Sequence, residues 1–167
     1  AVTVLNYGDI TASGNAGIFL AGGGPVTNQA DGTISGAFGV LANYVAATVV
    51  NNGTIIGTQV AGIGLFSGGD VTNQIDGIIG GYHAITAYKA LTLVPGGTIA
   101  GYRGGIGLFA GGTVSNQSGG TISGMVGIYS PSAAVTVVNA GTILGGMTTA
   151  FMGGVVLLGG GTISNET

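Results

Sequence analysis

The chain has 167 residues, of which 38 are Gly and only 4% are charged, for a net charge of −3. With 46% hydrophobic residues it is too apolar for a disordered chain. Its two basic side chains, Lys89 and Arg103, stand against Asp9, Asp31, Asp70, Asp76 and Glu166, which argues against a nucleic-acid partner. No run of about 18 apolar residues is present, so no membrane-spanning helix is expected. Cys is absent, which suits an exported protein but excludes no compartment. Neither a signal peptide nor an initiator Met opens the chain, so the N-terminus reads as a processed end.

Taken in order, the chain repeats one phrase. It reads Val26-Thr27-Asn28-Gln29, then Val71-Thr72-Asn73-Gln74, then Val114-Ser115-Asn116-Gln117, each leading to a Gly and a second apolar run. A shorter form alternates with it, as in Val49-Val50-Asn51-Asn52-Gly53 and Val137-Val138-Asn139-Ala140-Gly141. The register mark falls at Val4, Val26, Val49, Val71, Leu93, Val114, Val137 and Ile163, in steps of 22, 23, 22, 22, 21, 23 and 26 residues. At Leu93 the Asn is replaced by Pro95. A phrase at fixed period in a Gly-rich, β-branched chain marks a solenoid, here with coils of about 22 residues in pairs of about 44.

Each coil is expected to carry three short strands and three inward columns. The first column is Val4, Val26, Val49, Val71, Leu93, Val114 and Val137. The second is Ile10, Ile34, Ile55, Ile79, Ile99, Ile122 and Ile143. The third comes from Gly17-Ile18-Phe19-Leu20, Gly62-Ile63-Gly64-Leu65, Gly105-Ile106-Gly107-Leu108 and Gly154-Val155-Val156-Leu157. Residues two apart share a face in a strand, and no window carries the 3.6-residue period of a helix. Gly is expected at the corners, where φ turns positive. Asn28, Asn51, Asn73, Asn116 and Asn139 are expected to take a left-handed corner conformation and to stack as a hydrogen-bonded ladder. The fold class predicted is all-β, a right-handed single-stranded parallel β-helix, since parallel crossovers are right-handed.

The whole span, 1–167, reads as one solenoid without distinct capping repeats, a segment of a longer array or a subunit that stacks on its copies. Between Gly145 and Gly154 an insertion, Met147 to Met152 at its centre, is expected as a surface loop.

These alternating phrases, with Gly-Ile-x-Leu between them, resemble the passenger domains of autotransporter and filamentous-haemagglutinin-like proteins over nearly the whole chain. The resemblance implies a β-helix secreted by a Gram-negative bacterium and displayed at its surface. Adhesion, aggregation or biofilm formation would be its role. It implies association with other copies, laterally or end to end, and contact with a glycan or a host or matrix surface.

Chemistry for catalysis is sparse. The acids stand singly, whereas a polysaccharide-active β-helix needs clustered carboxylates. Asp31 and Asp76 fall in long connectors, where Asp favours turns. Gly68-Gly69-Asp70 occurs once, short of a calcium-binding repeat, so no metal, cofactor or catalytic residue is expected. Gly22-Gly23-Gly24 lacks the Lys of a phosphate loop. Thr33, Thr54, Thr98, Thr121 and Thr142 recur at one corner, as β-branched strand residues do.

One patch stands apart. His83, Lys89 and Arg103 fall within 21 residues, interleaved with Tyr82, Tyr88 and Tyr102. The register sets Tyr82 above Tyr102 and His83 above Arg103, a candidate surface for a glycan or an anionic group. A solvated corner that gathers the few bulky polar residues is the plainer account of the same six.

Overall fold

The structure, a computed structural model, describes residues 1–146 and 152–166. Of the expected insertion, residues 147–151 lie outside the described residues. Every strand pairing among the described residues is parallel, and no helix occurs among them. Eight strands form the first face: Val4–Asn6, Gly24–Asn28, Ala47–Asn51, Gly69–Asn73, Leu91–Pro95, Gly112–Asn116, Val135–Asn139 and Gly161–Asn165. Their register joins Val4, Val26, Val49, Val71, Leu93, Val114, Val137 and Ile163, the marks read from the sequence. The chain is thus a parallel β-solenoid of about seven turns.

The other two faces belong to one sheet, not two. In the four middle coils a single strand runs round the corner between them: Thr33–Ala42, Thr54–Leu65, Ile78–Ala87 and Thr98–Leu108. Elsewhere the corner splits the strand, as in Asp9–Thr11 with Ala16–Leu20, Thr121–Ser123 with Val126–Ser130, and Thr142–Leu144 with Gly153–Leu157. The expectation of three separate strands therefore fails in the middle of the rod. There the ladder survives the bend through register shifts at Gly36/Phe38, Ile56/Ala61 and Gly101/Gly104. Such shifts let a strand bend without giving up its neighbours.

Stacked Val, Ile and Leu fill the interior as one cluster. The second-face column is fully buried from Ile34 to Ile122, while Ile10 and Ile143, in the outer coils, are only partly covered. A second inward row explains the pairing of coils. It runs Leu20, Ala42, Leu65, Ala87 and Leu108 along the end of the third face. Across the next corner the first face opens with Gly24, Ala47, Gly69, Leu91 and Gly112. A coil with Leu on one side of the corner has Gly on the other, and coils with Ala there have Ala or Leu. Leu never stands on both sides of the corner in these coils, as close packing demands.

The backbone corrects two expectations. No described non-Gly residue has positive φ, so the Asn residues are not left-handed. They end the first-face strands and turn their amides inward. Among the described residues positive φ is confined to Gly119 and to Gly pairs such as Gly68 (φ 77) and Gly69 (φ 135), at the corner before the first face. At the corner between the second and third faces Gly is needed for space: a Cβ on Gly101 would lie 1.8 Å from the Gly104 carbonyl oxygen.

Candidate functional site

The Asn ladder sets the frame. Asn6 donates from Nδ2 to Asn28 Oδ1 at 2.8 Å, Asn28 to Asn51 at 2.9 Å, and Asn51 to Asn73 at 2.8 Å. After a break it resumes from Asn116 to Asn139 and from Asn139 to Asn165, both at 2.7 Å. Each amide also caps a backbone carbonyl at its corner, as Asn51 does for Gly53 and Ile78. The break is Pro95, which pairs with Asn73 in the register and has no amide to offer. Asn116 Oδ1 is left buried without a donor. The ladder holds coils in register and is buried from Asn6 to Asn139, with Asn165 alone exposed at its end, so it is construction.

Concavity appears on the outside of the third face. Its outward row is Leu41, Gly64, Thr86, Gly107 and Tyr129. Gly107 leaves a gap in that row, whereas the space over Gly64 is taken by the Phe38 ring. A Cβ at Gly64 would lie 2.9 Å from the ring of Phe38, and one at Gly107 would lie 3.3 Å from that of Phe109. The resulting groove has a volume of about 640 Å³, within the usual range of ligand clefts. Thr86 and Gly107 lie along its floor, with Phe66, Tyr88 and Phe109 on one flank. Opposite stand Gln59, Val60, Tyr82, His83 and Arg103, with Phe38 towards one end and Met125, Val126 and Tyr129 towards the other.

Aromatic rings run along the axis beside this groove. Phe38 and Phe66 meet edge to face at 5.9 Å, and Phe66 meets Tyr88 at 5.0 Å. Tyr88 and Phe109 stack at 4.7 Å between centroids, close to one coil spacing. Phe109 and Tyr129 again meet edge to face, at 6.4 Å. Because Tyr88 and Phe109 cover each other's faces, the groove meets their edges, where the ring quadrupole is positive.

Of the six residues singled out in the sequence, four line the groove: Tyr82, His83, Tyr88 and Arg103. Tyr82 and Tyr102 do stack, 5.9 Å apart, yet Tyr102 points into solvent outside the groove and is 74% exposed. Lys89 is exposed at the next corner, beside Gly68, and takes no part. His83 does not sit above Arg103. The register shift between Gly101 and Gly104 pairs it with Gly104, whose missing side chain leaves room for the imidazole. Arg103 instead reaches back over the Tyr82 ring, its Cζ 6.0 Å from the centroid. Burial, and then the neighbouring Arg103 charge, push the His83 imidazole below its ordinary 6.5, so it is mainly neutral at pH 7.

Sequence reasoning missed Phe38, Phe66, Phe109 and Tyr129. A signal was present for two of them. Leu65-Phe66, Ala87-Tyr88 and Leu108-Phe109 recur at the coil period, each aromatic one residue past an inward position. Among the described residues no three His, Cys, Asp or Glu side chains gather. Asp31 and Asp76 are exposed in their connectors. No protein-family model, curated protein or solved structure matches the chain.

Proposed function

We propose that this chain is part of a surface-displayed, non-catalytic β-solenoid scaffold that acts in adhesion, aggregation or matrix formation outside a bacterial cell. The observation that carries this reading is the division between the inside and the outside of the rod. Inside, the coils repeat the same apolar columns and, except at Pro95, the same Asn corner, which build length and nothing else. Outside, the faces are almost free of charge, which weakens repulsion between neighbouring rods or between a rod and a surface. The repeated phrases that resemble autotransporter and filamentous-haemagglutinin-like passengers support the same setting.

Beads coated with the folded chain test it. Coated beads should adhere to epithelial cells, to extracellular matrix or to one another, and beads carrying heat-unfolded chain should not. The same preparation, mixed with plant and animal polysaccharides, should release no reducing ends. Adhesion no better than that of uncoated beads overturns the reading, and steady release of reducing ends replaces it with a polysaccharide-active enzyme. Growth of scattering with concentration, without adhesion, points instead to a filament subunit.

A further inference from the structure

The groove on the third face is built unlike the rest of the surface, and three features restrict what it can hold. Its charge is the first. The chain carries an excess of acids, yet among the described residues no carboxylate lines the groove, whereas Arg103 and His83 both do. Arg103 forms no salt bridge among the described residues, and its partner is the Tyr82 ring. An unpaired guanidinium beside positive ring edges favours an anion, and its planar fork matches a carboxylate. Charge density is the second. One fixed cation on a chain of net charge −3 suits a ligand with one negative charge every few rings, and a densely sulfated polymer would be repelled. Length is the third. Lining residues come from six consecutive coils, from Phe38 to Met152, a span of roughly 24 Å at about 4.8 Å per coil. A pyranose ring advances a saccharide by a length close to one coil spacing.

We propose that this groove binds an acidic oligosaccharide lengthwise, a chain of sugar rings bearing carboxylates, with a carboxylate held by Arg103. The hydroxyl groups meet His83, Gln59 and the Tyr88 hydroxyl. The apolar ring faces lie on Thr86 and Gly107, where the absent side chain gives them depth. The proposal rests on the adhesive reading above and supplies its receptor chemistry.

Binding should be linked to pH. A bound carboxylate opposes the Arg103 field at His83 and favours the imidazolium. The groups near His83 are Tyr82 on its own strand, Gly104 and the charged Arg103 on the next coil, and the uncharged Gln59, Val60 and Ala61 on the coil before. Affinity should therefore rise as the pH falls below the ordinary histidine range and His83 takes up its proton.

The test is titration calorimetry with a hyaluronan hexasaccharide, maltohexaose and a heparin hexasaccharide. The hyaluronan fragment should bind at least tenfold more tightly than either of the others. Arg103→Gln should weaken it at least tenfold with the melting temperature unchanged. Gly107→Thr, which places in the floor the residue already present at the register-equivalent Thr86, should block it. Should either variant fold poorly, the parent decides alone through the NMR titration of His83, whose midpoint should move up when the hexasaccharide is bound. Equal binding of maltohexaose, tighter binding of heparin, a static His83 midpoint or no binding at all overturns the proposal. Loss of the groove ligand with bead adhesion intact sinks this inference alone, whereas hexasaccharide binding without bead adhesion sinks the adhesive reading.

Discussion

Pro95 is where the interior departs from its own rule. An Asn there would accept from Asn73 and donate to Asn116 Oδ1, which now lies buried without a donor. An unmet buried acceptor costs about 1–3 kcal/mol. Removing a proline loosens the unfolded chain by about 0.4–1 kcal/mol. The first effect wins, so Pro95→Asn should stabilise the rod by roughly 1 kcal/mol in urea unfolding, and a loss would show that Pro95 is needed for its backbone angle. Asn51→Ala should do the reverse, at about 1–3 kcal/mol, because it strands Asn73 Oδ1 and takes a donor from the Gly53 and Ile78 carbonyls. His83 adds a pH dependence. Its folded-state pKa lies below the unfolded value of 6.5, so the unfolded chain binds the proton more readily. Stability is intact above pH 6.5 and declines as the pH falls through it. The drop in melting temperature between about pH 7.5 and 5.5, above the usual carboxylate range, should be smaller in His83→Gln than in the parent. The position of each Asn was legible in the sequence because the period is strict. Its conformation was not, since an inward amide and a left-handed corner both place Asn before Gly.

Strands and corners were legible to different depths. Apolar columns obey a spacing rule, so Val26 over Val49 and Ile34 over Ile55 follow from counting alone. Corners obey steric detail. The extra residue at Gly101 to Gly104 moved Arg103 out of line with His83, and a count of coil length does not reveal which residue a bend absorbs. The aromatic column was hidden for a related reason: its members come from corners and outward positions, which carry no alternation signal. The Leu–Gly exchange across the corner before the first face gives a prediction at this scale. Leu65→Ala should cost about 2–5 kcal/mol, because Gly69 opposite has no side chain to fill the space. Ala87→Leu should also destabilise, by about 1–3 kcal/mol, because Leu91 already occupies that corner. Thermal or urea unfolding checks both, and an Ala87→Leu protein as stable as its parent would show slack that close packing forbids.

For the molecule as a whole, the account separates construction from contact. Core substitutions should act on every property at once. Ile99→Asp buries an unpaired carboxylate in the middle coil, costs several kcal/mol, and should abolish folding and adhesion together. Groove substitutions should act on contact alone, since Phe109 and Arg103 lie outside the inward columns that hold the coils together. The measurement that tests this most directly is adhesion of beads coated at equal density with the parent or with Phe109→Ala/Arg103→Gln, each shown by melting to be folded at the assay temperature. The account predicts that the double variant melts within a few degrees of the parent and loses most of its adhesion. Adhesion equal to the parent's, on a rod equally stable, would contradict it.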